Sequence, residues 1–177
     1  MTRCVTDYLV REHQELSLLL NELQTELTVL RLARDRRKTA DRLSGLRGRI
    51  SQALLNHVVE EEQILYPALQ KCVQGLDITL DRMRQEHDAG ERTERVFHQS
   101  LDRLIQGQGN PRDVMQSGRE YVHWLRNHLL DEHGRLFPMV ERGLDPVTQE
   151  AVRRAMQELS AESPARVAQG PTLTARA

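Results

Sequence analysis

HVVEEEQILYP, residues 57–67, sets a histidine four positions before a glutamate inside a segment whose apolar residues otherwise recur at helical spacing. HLLDEHGRLFP, residues 128–138, repeats the frame: His, acid at plus three, Glu at plus four, Leu at plus eight, aromatic at plus nine, Pro at plus ten. One such segment can arise by chance, but two with matched flanks require a common cause. In an α-helix, positions i and i+4 lie about 40° apart and about 6 Å along the axis, so His57 with Glu61, and His128 with Glu132, each face one direction.

The surrounding chain supplies helices for both segments. Apolar residues recur at three- and four-residue steps over about 6–32, 41–72, 77–106 and 112–142. Breakers separate these blocks: the polar stretch ARDRRKTAD at 33–41, Gly75, GQGNP at 107–111, and Gly143. Asp145 and Pro146 form a helix start, and VTQEAVRRAMQEL supplies a short fifth helix expected outside the bundle. From Ala161 the residues are small and polar with no periodic apolar face, which implies a disordered tail. No alternating β-branched run occurs. The expectation is an all-α protein, an antiparallel up-down-up-down four-helix bundle over 1–143, with an accessory helix over 144–160 and the tail over 161–177.

The first and third helices carry REHQEL and QEHDAG, each with Glu directly before His: Glu12-His13 and Glu86-His87. The spacing from His13 to His57 is 44 residues, and from His87 to His128 it is 41, so the chain reads as a duplicated helical hairpin. His13 and His87 sit early in their helices, while His57 and His128 sit past the middle of theirs. Alternating helix directions therefore bring all four to one level. Four imidazoles and at least two carboxylates at one level of a core require compensation for lost hydration, and a pair of metal ions bridged by carboxylates provides it. Nitrogen and oxygen donors without thiolate suit iron or manganese better than structural zinc.

The set His13, His57-x-x-x-Glu61, His87, His128-x-x-x-Glu132, with the trailing LYP and LFP, resembles the HHE cation-binding, or hemerythrin-like, family over about residues 6–142. That resemblance implies a carboxylate-bridged pair of non-haem irons, with His13 and His57 on one, His87 and His128 on the other, and Glu61 and Glu132 bridging. Oxygen-carrying hemerythrins place His-x-x-x-His on the third helix and His-x-x-x-x-Asp on the fourth. Here the third helix reads His87-x-x-x-Glu91, so Glu91 is the candidate for the remaining iron position, with water or His133 in reserve. An added carboxylate favours ferric iron and easier oxidation. The implied ligands are O2, NO or H2O2. The leading role is redox handling, such as peroxide decomposition or NO-related stress chemistry, ahead of a non-enzymatic module for oxygen or iron sensing, binding or storage. A metal-free interaction bundle is the third reading.

Other features bound the function. The formal charge of −1 offers no basic field for nucleic acid. The N-terminal residues lack a signal-peptide core and no apolar run is long enough to span a bilayer, so a cytoplasmic location without membrane contact is expected. Cys4 and Cys72 form no C-x-x-C pair, and Cys72 is expected to be a buried thiol. His98 lies too far along its helix for the same metals, Tyr121 is expected to fill core, and Glu60, Glu62 and Asp131 are expected to back the ligands or face solvent.

Overall fold

The computed structural model describes residues 4–32 and 35–162. Helix α1 spans Val5–Leu32, and α2 spans Arg36–Glu60. α2 continues through a π-helical turn at Glu61–Leu65 into α3, Tyr66–Cys72. α4 spans Asp77–Ile105. α5, Pro111–Asp131, continues through a second π-helical turn, Glu132–Leu136, into α6, Phe137–Gly143. α7 spans Pro146–Glu162. No strand occurs among the described residues, and none of their helices is long and apolar enough to cross a membrane.

Local chemistry accounts for most boundaries. Asn110 accepts from the Arg112 amide with Pro111 at the first helical position, and Asp145 accepts from the Val147 and Thr148 amides. Gly75 and Gly107 turn the chain at φ 78° and 75°, where a Cβ would be strained. One boundary differs from the sequence reading. α2 begins at Arg36 rather than near residue 41, because the Asp35 side chain accepts from the Lys38 amide and caps a helix that buries Thr39 and Ala40. The basic stretch is therefore the first turn of α2.

The π turns follow from proline. Pro67 and Pro138 have no amide hydrogen, and in a regular helix their rings would meet the carbonyl four residues back. The preceding residue bonds one position further back instead, Tyr66 to the Glu61 carbonyl and Phe137 to that of Glu132. Both turns thus open at the glutamate of the repeated frame.

α1 packs on α2 and α5, and α4 packs on the same two helices. Contacts climb one helix while descending its neighbour. Glu26, Glu22 and Tyr8 meet Arg42, Arg49 and Glu60, whereas Ser100, Glu86 and Arg82 meet Ser117, His128 and Asp131. Two apolar clusters fill the interior. One holds Leu16 to Leu30 of α1 with Leu43, Ile50, Phe97, Leu101 and Leu125. The other holds Val5, Leu9, Leu65, Tyr66, Leu80, Leu136 and Val140. The buried histidines fall between the two: His13 separates Leu9 from Leu16, and His87 separates Met83 from Phe97. α7 is no loose appendage, since Val152 and Met156 are buried in the second cluster. Ala161 and Glu162, assigned to the tail from the sequence, belong to α7; the rest of the expected tail, residues 163–177, lies outside the described residues. Cys72 is exposed rather than buried, because it ends α3 on the solvent side.

Two glycines test the packing in opposite directions. A Cβ at Gly48 meets nothing within 4 Å, whereas one at Gly90 would lie 2.0 Å from the Trp124 ring. Gly48→Ala is expected to stabilise the fold by about 0.5–1 kcal/mol through helix propensity. Gly90→Ala is expected to destabilise it by about 1–3 kcal/mol through overpacking. Urea denaturation of the two variants beside the parent reads both signs.

Candidate metal centre

The polar level between the two clusters is formed by His13 of α1, His57 of α2, Glu61, His87 of α4, His128 of α5 and Glu132, all buried. The two glutamates sit at the first residue of each π turn, so they share the offset from their histidines that the repeated frame specified. One donor atom from each of His57, Glu61, His128 and Glu132 lies within 4.8 Å of the others.

The donors sort into two halves. Glu132 Oε2 is 2.9 Å from His13 Nε2 and 3.4 Å from His57 Nε2, while its Oε1 is 2.8 Å from His128 Nε2. Glu61 Oε1 is 3.9 Å from His57 Nε2, while its Oε2 is 3.4 Å from His87 Nε2. Each carboxylate therefore presents one oxygen to the His13–His57 pair and the other to the His87–His128 pair. The two rings of each pair meet edge to face, with centroids 4.8 and 4.9 Å apart.

These residues fit a bound cation. His87 Nε2, His128 Nε2, Glu61 Oε1 and Glu132 Oε1 are buried without a hydrogen-bond partner among the described residues. Yet His128 Nε2 and Glu132 Oε1 are only 2.8 Å apart. Atoms this close but misaligned for hydrogen bonding converge on a shared point rather than on each other. Leaving such atoms unsatisfied costs several kcal/mol in sum, at about 1–3 kcal/mol each, a cost that coordination removes.

Three of the four outward ring nitrogens face acids, while His13 Nδ1 is buried without a hydrogen-bond partner among the described residues. Glu12 accepts from His57 Nδ1 at 3.2 Å, Glu62 accepts from His87 Nδ1 at 2.7 Å, and Glu86 approaches His128 Nδ1 at 3.9 Å. The glutamate preceding the first histidine of each hairpin thus faces the histidine of the next helix. These contacts fix Nε2 inward and raise the donor strength of each imidazole. The Tyr66 hydroxyl donates to Glu61 Oε2 at 2.9 Å, a contact five residues apart that the π turn brings onto one face.

Electrostatics in the metal-free protein reflect the same crowding. Burial alone would lower the His57 and His87 values, but Glu61, with Glu12 and Glu132 for His57 and Glu62 for His87, outweighs it. His57 rises well above the ordinary value and His87 reaches about 9. Burial alone would raise Glu132, but the close imidazoles of His128, His13 and His57 hold it well below the carboxylate range. Burial and neighbouring Glu12 push Glu60 to about 8, and it accepts from the Tyr8 hydroxyl. A cation entering the site must displace histidine protons, so loading weakens as pH falls.

Glu91 is not part of this cluster. Its side chain is 55% exposed and lies 4.0 Å from Arg95. The buried stripe of α4 runs Leu80, Met83, His87, Gly90, Phe97 and Leu101, turning to the side of His87 opposite Glu91. The four-residue step from His87 therefore points away from the centre. Trp124 occupies the space over Gly90 and stacks on His128 at 5.4 Å with an 11° interplanar angle. His133 is likewise exposed, 5.0 Å from the His13 ring, in the repeat position that Glu62 fills in the other half. Asp131 pairs with Arg82 and Arg135 near the surface, and His98 lies beside Ser51 and Glu94.

The model of the hemerythrin HHE cation-binding domain matches residues 4–140. The chain belongs to that family. Comparison with curated proteins and with solved structures gives no match. The family's cation-binding character and the buried histidine–glutamate cluster agree: this HHE domain carries a site able to hold metal.

The correction at Glu91 gives a direct comparison. Glu91→Ala is expected to retain the parent's metal content after desalting, whereas Glu61→Ala and Glu132→Ala each lose most of it. Elemental analysis of identically reconstituted samples measures this, and metal loss in Glu91→Ala equal to that of Glu132→Ala would return Glu91 to the ligand set.

Proposed function

We propose that this HHE domain is an up-down-up-down bundle around two non-haem irons and that it handles a small oxidant or radical: O2, NO or H2O2, with peroxide turnover as the leading activity. The observation that carries the dinuclear reading is the division of each buried carboxylate, one oxygen toward each histidine pair. The contact order along neighbouring helices supports the topology.

In this reading His13 and His57 would hold one ion, His87 and His128 the other, and Glu61 and Glu132 would offer an oxygen to each. Bound iron supplies one-electron redox change and a Lewis-acidic surface for the small ligand. The chain's own residues do the rest. Glu12, Glu62 and Glu86 orient the imidazoles, and Tyr66 holds one oxygen of Glu61 through its hydroxyl. The apolar clusters on either side exclude bulk water and leave a buried centre suited to small ligands. With Glu91 on the surface, each ion would find two imidazoles and carboxylate oxygens from the protein, and the small ligand would be the further partner. The case for redox chemistry then rests on two anionic bridges and open positions, not on an extra terminal carboxylate.

Anaerobic ferrous reconstitution is expected to load two irons per chain. Because the protein has one tryptophan, stacked on His128, loading is expected to quench Trp124 fluorescence, and His128→Ala is expected to abolish most of the quenching. Peroxide or NO is then added to the loaded protein. Loss of many equivalents per chain supports an enzyme, whereas uptake of one equivalent supports a sensing or binding module. One tightly held metal, or none, overturns the dinuclear assignment.

A further inference from the structure

The two halves of the repeat differ most beside His128. Where the first hairpin has Leu16, Leu20, Ile50 and Ala53, the second has Gly90, Glu94, Tyr121 and Trp124. Their side chains form a column. Trp124 stacks on His128 at 5.4 Å and 11°, and Tyr121 stacks on Trp124 at 6.1 Å and 13°. The Tyr121 hydroxyl, buried, donates to Glu94 Oε1 at 3.4 Å. Glu94 also accepts from Ser51, and His98 Nε2 lies 3.5 Å from it on a half-buried surface. Gly90 is required for this column, since any Cβ there would strike Trp124, and a glycine inside a helix costs about 1 kcal/mol relative to alanine.

Simple packing accounts for the aromatic rings but not for the carboxylate set against the only polar atom of Tyr121. That pairing of an oxidisable ring with a proton acceptor, in van der Waals sequence with a metal ligand, is what one-electron transfer requires. We propose that Trp124 and Tyr121 form an electron relay to the His128 side of the metal centre, with Glu94 as the base that receives the Tyr121 proton. The inference rests on the peroxide reading above.

The balance is as follows. Reduction of one H2O2 to two waters takes two electrons and two protons. When only one of the two ions is ferrous, it supplies one electron by becoming ferric and Tyr121 supplies the other. Its O–H bond breaks, the proton goes to Glu94 and the electron passes through Trp124 and His128. A neutral tyrosyl radical and a protonated Glu94 remain, and the two protons in water come from solvent. With both ions ferrous the two electrons come from iron, so the relay acts in the half-oxidised centre.

Tyr66 is the rival, since it stacks on His87 at 6.2 Å. Its hydroxyl, however, donates to Glu61, a carboxylate whose oxygens the metal site itself uses, so no base is free for its proton. Glu94 is outside the site, partly exposed, and contacts Ser51 and His98.

The test is freeze-quench EPR of the full chain, loaded with iron, brought to one ferrous ion per centre and mixed with H2O2, with iron content and peroxide loss measured on the same samples. An organic radical that narrows on incorporation of ring-deuterated tyrosine is expected. It should be lost in Tyr121→Phe, form more slowly in Trp124→Phe and in Glu94→Gln, and persist in Tyr66→Phe. In Tyr121→Phe, mass spectrometry should find oxidised Trp124, because the ring is left without its donor. A radical that survives Tyr121→Phe but vanishes in Tyr66→Phe overturns the relay. So does the absence of any organic radical in protein that holds iron and consumes peroxide. Protein that holds no iron or consumes no peroxide overturns the underlying functional reading, and the relay with it.

Discussion

Two glutamates, Glu61 and Glu132, have side chains 0% and 1% exposed at the waist of a helical bundle, and the rest of the molecule is arranged around their charge. A carboxylate stripped of water is tolerated only with close positive or hydrogen-bonding partners. Four histidines supply them, one from each long helix, and these in turn need acids behind them: Glu12, Glu62 and Glu86. The polar level divides the apolar interior into two clusters, so the bundle has a core above and a core below rather than one continuous stripe. Metal and fold share one set of contacts, because any cation bound there also ties the four helices at the level where apolar packing is interrupted.

Duplication made the centre legible in the sequence. A single His-x-x-x-Glu is an ordinary surface pair, but the recurrence at His128 with the same leucine, aromatic and proline marks selected spacing, and the six core donors follow from it. Glu91 shows the limit of the same geometry. A step of four from His87 is only 40° away, but the direction of those 40° decides burial, and the stripe of α4 turns through Gly90 and Phe97 instead. Nothing within α4 alone reveals this, because the deciding partner, Trp124, lies on α5. The early start of α2 at Asp35 was hidden by charge: RRK reads as a breaker until its cap is recognised.

The π turns had a signal that composition and periodicity pass over. Proline after the aromatic residue reads as a frame marker, yet its missing amide is what widens the turn. The acids behind the histidines were also visible as Glu-His pairs, but their service to a neighbouring helix rather than to their own histidine is a tertiary fact. Within this approximate symmetry the halves have diverged. Tyr66 has Phe137 as its counterpart, Glu62 has His133, and Tyr8 with Glu60 matches Arg82 with Asp131. Both halves keep the inward donors and vary what stands behind them.

The two π turns also record ancestry. Each is equivalent to one extra residue slipped into a regular helix, and each begins at the same place, the glutamate of its hairpin. Two independent insertions at matching positions, each followed by an aromatic residue and proline, are a far less economical history than one insertion copied with its hairpin. The matched position makes each hairpin an equivalent unit that offers one histidine from each long helix and one carboxylate from its π turn, so neither hairpin alone closes the buried cluster and only the pair completes it.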